Sequence, residues 1–179
     1  MSTALFHYGA PERRAIMLEK LGGNAVLRQA IDKFYDRQTH DARLMAFFSE
    51  TDLSILKWHQ FNLMSIAFTH VPENFDVSSL ILKRHQRLFD AGLDEKYFDI
   101  VMEHFENTLK ELNVDANLIE EAVGVVKPLR SIFELGAKEA RQRKQELERE
   151  RQLVLFAGAA VVLAVVAIGI SRIAKHSKM

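Results

Sequence analysis

The side chains of this chain best equipped for chemistry are two imidazoles, a phenol and an amide: His85, His59, Tyr35 and Gln60. With their aromatic neighbours they fall on successive apolar segments, as Phe34-Tyr35, Phe47-Phe48, His59-Gln60 and a lone His85. Neutral imidazole is a firm nitrogen ligand for iron held in a porphyrin. The opposite face of such a ring needs hydrogen-bond donors for a bound diatomic ligand, and a phenol and a polar pair supply them. The set therefore suits a haem pocket. Each member also has an ordinary reading. By type alone, His85 in Leu82-Lys83-Arg84-His85-Gln86 is either a packed or surface histidine or a ligand. Tyr35 is either a donor or a core aromatic with a satisfied hydroxyl. Gln60 either donates or caps a backbone group, and Phe47 and Phe48 are either pocket or core. His59 is either an iron ligand or a solvent-facing side chain, since neighbouring helix positions diverge by about 100°. His7, His40, His70, His104 and His176 have no ligand-like context and read as surface residues.

The elements that must position these groups read as helices. Pro11 suits an early helical position, with Ile16, Met17 and Leu21 as an apolar set, and Gly22-Gly23 ends that helix. Asn24 is expected to cap the next, whose face carries Val26, Leu27, Ala30, Ile31, Phe34 and Tyr35. Asp41 can cap a short turn with Leu44, Phe47 and Phe48. Thr51 or Asp52 opens a helix with Leu53, Leu56, Gln60, Leu63, Met64 and Ala67, which Pro72 closes. A short helix with Leu80, Ile81, His85 and Leu88 breaks at Ala91-Gly92, and two more patterns cover about 94–112 and 115–135. Pro128 is expected to kink the last of these. No stretch alternates convincingly enough for a strand. The fold class is all-α.

Composition narrows the chemistry. Formal net charge is +0, which argues against a nucleic-acid partner, although Arg172, Lys175 and Lys178 make the end basic. Cysteine is absent, which removes disulfides, thiolate-bound zinc, iron–sulfur clusters and thiol catalysis together. Three prolines and eight glycines leave long helices unobstructed. From 138 to 152 almost no apolar stripe remains, as expected of a solvated helical spacer held by charge pairs four residues apart. Residues 153–170 form an uncharged run of about 18 residues, reaching about 27 Å at about 1.5 Å each, close to a bilayer core. This reads as a transmembrane tail anchor. The expected organisation is an arm (1–10), a helical domain (11–136), a charged spacer (137–152), the anchor (153–173) and a basic tail (174–179).

Residues 18–135 resemble a truncated haemoglobin, closest to group I. The resemblance rests on Leu18-Glu19-Lys20-Leu21-Gly22-Gly23, Asp32-Lys33-Phe34-Tyr35, Leu44-Met45-Ala46-Phe47-Phe48, Trp58-His59-Gln60 and His85. It implies a two-over-two helical sandwich around haem b. By position, His85 resembles the proximal iron ligand, and Tyr35 and Gln60 the distal donors. Phe48 matches the phenylalanine that wedges against the porphyrin. Leu56 stands where many globins carry a distal histidine or glutamine, and His59 where some members carry a second iron ligand. Phe34, Met64, Phe98 and Val101 would line the cavity, with Lys57 and Arg84 as propionate partners. One departure is the segment Phe68-Thr69-His70-Val71-Pro72, where the family usually has a second Gly-Gly. It bears on the routing of the loop before His85.

The resemblance implies reversible binding of dioxygen, nitric oxide or carbon monoxide. It also implies a capacity to convert nitric oxide to nitrate. The sequence holds no flavin or nicotinamide fingerprint, so that reaction calls for a separate reductase. The alternative expectation is a six-coordinate haem sensor or electron carrier gated by His59. A haem-free membrane adaptor is the third. The anchor predicts a single-pass membrane protein with its globin part facing the cytosol, in a mitochondrial or plastid outer membrane if eukaryotic. Ala160 and Ala164 offer a weak basis for self-association through the anchor.

Overall fold

The computed structural model describes residues 17–176 other than 50, 70 and 73, and from 158 onward it describes helix backbone alone. Among these residues no strand occurs. The helices are α1 (Gly23–His40), α2 (Leu53–Ala67), α3 (Val77–Asp90), α4 (Glu95–Glu111), α5 (Ala116–Val126) and α6 (Arg130–His176), with 3-10 turns at Met45–Phe48 and Lys127–Leu129. The chain divides into two compact units, Met1–Lys138 and Glu139–Met179.

Four of the starts have one cause. Asp52, Asp76, Asp94 and Asp115 each stand just before a helix and accept from backbone N–H groups of its first turn. Such a cap supplies an acceptor that the helix lacks and is worth about 1 kcal/mol. α1 starts differently. Asn24 does not cap it: the helix begins at Gly23 behind Gly22, whose φ of 100° lies in the left-handed region. A Cβ on Gly22 would stand 2.4 Å from Val26 Cγ2, so glycine is needed there for space as well as for conformation.

One other expectation holds and two are corrected in detail. Asp41 caps the turn before Phe48 as expected, its carboxylate accepting from Arg43 N–H at 2.9 Å, and its carbonyl oxygen adds bonds from Leu44 and Met45 N–H at 2.9 Å each. α2 stops at Ala67, before Pro72: Phe68 N–H still makes the helical bond to the Met64 carbonyl at 2.9 Å, but Thr69 N–H reaches only three residues back, to Ile66 at 3.2 Å, and the turn tightens out of the helix. Pro128 does more than kink the last helical pattern. It divides it into α5, a 3-10 turn and α6, since proline cannot donate the hydrogen bond that a continuous helix needs. The helix expected around Pro11 and Ile16 lies outside the described residues, except for its end at Met17–Lys20.

In the first unit, α1 packs on α2 and α4, and α4 on α5. The α1 face that meets them is Leu27, Ala30, Ile31, Phe34, Tyr35 and Gln38, spaced at three and four residues as one side of a helix requires. A shared core joins Leu27, Ile31, Phe34 and Tyr35 to Met64, Phe68, Val77, Ile81, Phe98 and Val125. At its edge Glu111 takes both Lys33 and Arg37 of α1. Arg130, at the start of α6, grips Asp99 of α4 through two parallel bonds of 2.8 and 2.9 Å. Gly136 lies where a Cβ would stand 2.4 Å from Phe89 Cε2, so its missing side chain lets α6 lie against α3.

In the second unit α6 continues as a charged helix, with Arg143 and Glu139 4.0 Å apart. Leu153, Val154, Leu155 and Phe156 are exposed, at 64% to 72%. Among the described residues no helix is long and apolar enough to cross a membrane. Most of the expected span falls from 158 onward, where side chains lie outside the described residues.

Candidate haem site

The α1 and α2 side of the site is built around Tyr35. Its side chain is 5% exposed. The phenol donates to Gln60 Oε1 at 3.3 Å, which joins the two helices. Phe34 and Phe48 present ring edges to it at centroid distances of 5.3 and 6.1 Å. Burial pushes the Tyr35 phenol well above its ordinary value, so it stays a neutral hydroxyl and a donor. With its oxygen engaged, Gln60 still has an NH2 group to offer.

His85 belongs to α3 and is held differently. Its Nδ1 lies 3.0 Å from the Ile81 carbonyl oxygen. A carbonyl can only accept, so Nδ1 carries the proton and the Nε2 lone pair is available. Nε2 has no hydrogen-bond partner among the described residues. Burial lowers the imidazole's pKa, and the bond to Ile81 opposes this only in part, so the ring is kept neutral. Phe133 and Phe89 flank it at 5.5 and 6.1 Å, and Phe133 in turn meets Phe98 at 4.9 Å.

The other predicted residues fall as follows. Phe34, Met64 and Phe98 are buried in the core, and Phe48, Leu56 and Val101 pack partly buried against it. His59 is partly buried on α2, with Nε2 3.5 Å from Arg84 Nη1 of α3. Its neighbour Trp58 is 59% exposed and meets the His59 ring edge-on at 4.9 Å. Lys57 is engaged with Asp32 at 2.8 Å. His40 is a surface side chain, 78% exposed. His104 is not: its side chain is 13% exposed and its Nε2 lies 2.7 Å from Asp41 Oδ2. The surface reading of His104 is corrected, and the reason is a partner 63 positions away that local context does not reveal. His7, His70 and the His176 side chain lie outside the described residues.

Three further residues around the site escape sequence reasoning. Phe89 and Phe133 flank His85, and Gly136 admits the helix that brings Phe133. Phe133 follows Arg130 by three positions on one helix, a spacing that signals a shared face but not its partner.

This donor set fits a haem. His85 offers one neutral nitrogen among aromatic rings, and Tyr35 and Gln60 offer donors in an apolar setting. Among the described residues no group of three or more His, Cys, Asp or Glu side chains stands ready for a bare metal ion. His85 would hold the iron of a haem, whose porphyrin supplies its own nitrogens.

Residues 16–134 match the family model of the bacterial-like globins. Over 110 residues the chain is 34% identical to the group 1 truncated haemoglobin GlbN of Synechocystis sp., covering 61% of this chain and 87% of that one. Among solved structures, it is similar to the 2/2 haemoglobin of Synechococcus sp. in its cyanomet state with covalently attached haem. The identity there is 36% and the TM-score 0.57, over 65% of this chain and 97% of that one. The Fe(III) truncated haemoglobin of Tetrahymena pyriformis matches with 27% identity and a TM-score of 0.56, over 66% and 97%. The helix order and packing agree with these likenesses: the chain belongs to the bacterial-like globins, in their truncated group 1 form.

Proposed function

We propose that the chain is a haem protein that binds dioxygen, nitric oxide or carbon monoxide reversibly, with haem b held on His85. The observation that carries this reading is the state of the His85 ring, with Nδ1 tied to Ile81, Nε2 without a hydrogen-bond partner among the described residues and the imidazole kept neutral. Haem, when bound, supplies an iron atom that takes up a diatomic ligand. Phe34, Phe48, Leu56, Met64, Phe98 and Val101 are the apolar lining that would keep water from it, and Arg84 is the cation for a propionate. The Gln60 NH2 group, free while its oxygen accepts from Tyr35, would donate toward the ligand, and the neutral Tyr35 phenol would do so by turning its one hydrogen from Gln60 to the ligand. In a dry site such donors act more strongly than in water and slow the ligand's release. The test is the absorption spectrum of the full chain after haem reconstitution. The unsubstituted chain should give a globin-type haem spectrum, and His85→Ala should not retain it. Equal haem uptake by both would overturn the assignment of His85, and no haem uptake by the unsubstituted chain would leave the haem-free adaptor.

Two extensions belong to this reading. Conversion of nitric oxide to nitrate consumes electrons, so it requires a separate reductase; nitrate formation that depends on an added electron source is the check. Residues 153–173 serve as a membrane anchor beyond a charged spacer. The uncharged run 153–170 and the exposed Leu153, Val154, Leu155 and Phe156 support this. The globin unit then faces the cytosol, from a mitochondrial or plastid outer membrane if the source is eukaryotic, and Ala160 and Ala164 offer a weak basis for contact with a second copy. Carbonate extraction and protease accessibility of the expressed chain test the placement.

A second reading is favoured by His59. Its contact with Arg84 turns the imidazole toward the helix that carries His85. As a sixth ligand His59 would gate the iron, suiting electron transfer or gas sensing. His59→Leu should then speed ligand binding; an unchanged rate rules the gate out.

A further inference from the structure

Asp41 follows α1 directly and gathers the turn that comes after it. Its carbonyl accepts from Leu44 and Met45. Its carboxylate accepts from the Arg43 backbone N–H at 2.9 Å and from the Arg43 guanidinium, as close as 2.6 Å. Arg43 first, and His104 with it, hold this carboxyl well below the usual carboxylate range. The remaining bond leaves the turn altogether. Asp41 Oδ2 meets His104 Nε2 of α4 at 2.7 Å, with side chains only 11% and 13% exposed. Hydrogen bonds to an ionised carboxylate are roughly twice as strong as neutral ones.

α4 touches the same turn a second time. Tyr97 lies seven residues before His104, two helical turns away on the same face. Its ring meets Phe47 edge-on at 4.9 Å. α4 thus fastens the turn at two points about 10.5 Å apart along its axis. From this fastened turn Leu44 enters the interior, at 2% exposure, and Phe48 sets its ring against Tyr35. Tyr35 is the phenol that donates to Gln60.

We propose that His104 and Asp41 are positioning residues for the ligand side of the site: they pin the turn whose Phe48 packs on Tyr35, and so fix how the phenol is presented. Neither residue touches the ligand. The inference rests on the haem reading above, and its test separates the two.

The experiment compares His104→Leu with His104→Gln in the full chain. Glutamine keeps a side-chain N–H for Asp41 and leucine does not. In the haem-loaded protein, His104→Leu should release dioxygen about fivefold faster, the factor that one ordinary hydrogen bond corresponds to. It should also shift the stretching frequency of bound carbon monoxide, and His104→Gln should restore both. In the haem-free chain, the Leu44, Met45 and Phe47 amides should exchange faster in His104→Leu alone. Faster exchange with unchanged release and frequency would overturn the proposal, because the turn would then be loosened without consequence for Tyr35. Unchanged exchange would overturn it too. If His104→Leu does not fold, Asp41→Asn carries the same expectation at smaller size, and an unchanged release rate there counts against the idea. If the unsubstituted chain takes up no haem, the haem reading fails. The Tyr35 ring resonances of the haem-free variants then decide the positioning claim, which stands only if they move in His104→Leu and return in His104→Gln.

Discussion

On the α3 side of the site, His85 is oriented by a backbone carbonyl and two phenyl rings; on the α1 and α2 side, Tyr35 and Gln60 orient each other. A carbonyl inside a helix is fixed by the helix itself, so the His85 tautomer follows from position alone. The Tyr35–Gln60 bond depends on two side chains from different helices, and the turn between those helices is fastened in turn by α4. The first arrangement has few ways to vary. The second passes through several side chains, each of which a substitution can adjust. An iron ligand is served by the first and tuning of ligand release by the second.

The largest expected effect lies on the α3 side. His85→Ala removes the one imidazole of α3, and haem affinity should fall by more than about 100-fold, beyond the loss seen for residues that merely support a ligand. A haem titration of both proteins measures it.

Next comes Gly136→Ala, which would drive a methyl group to 2.4 Å from a Phe89 ring that is 3% exposed. Alanine favours the helix by about 1 kcal/mol, but overpacking costs about 1–3 kcal/mol and displaces a ring that flanks His85. Thermal unfolding should show a lower Tm, and an unchanged Tm would mean that α3 and α6 separate freely.

On the other side, Tyr35→Phe keeps the ring and its packing while removing the donor. Stability should drop by about 1 kcal/mol and dioxygen release should quicken several-fold, with haem content unchanged. Equal release rates would shift the donor role to Gln60 alone.

The smallest effect is a pH dependence. Asp41 has a folded pKa below its unfolded value near 3.9. Its contribution is therefore complete above about pH 4 and is lost as pH falls below that toward the folded value. Urea unfolding of the unsubstituted chain and of Asp41→Asn should differ at pH 7 and converge in acid. A gap of constant size would place the origin of the acid sensitivity elsewhere.

Much of the helical order is legible from local chemistry. Asp52, Asp94 and Asp115 announce starts, because a cap acts within one turn of its own residue. The spacing of Leu27, Ile31, Phe34 and Tyr35 announces a buried face for the same reason. Legibility fails where the cause is remote or steric. Asn24 is a sound cap by type, yet Gly22 governs that start through its backbone conformation. His104 has no local sign of Asp41, and Gly136 shows its purpose only once Phe89 is beside it. Pro128 reads as a kink in one helix, and only the structure shows that it divides the pattern in two. Families of sequences resolve some of this, which is why the resemblance to truncated haemoglobins reaches the fold more directly than periodicity does.

Trp58 is the sole tryptophan in the chain, and it stands exposed on α2 against His59. The protein therefore carries its own optical probe. A porphyrin absorbs where indole emits, so the brightness of this one side chain would fall as haem enters and return as haem leaves. Occupancy of the pocket is then readable in real time, without a label and without altering a residue. Any event that moves His59 beside it should leave its own mark on the same signal.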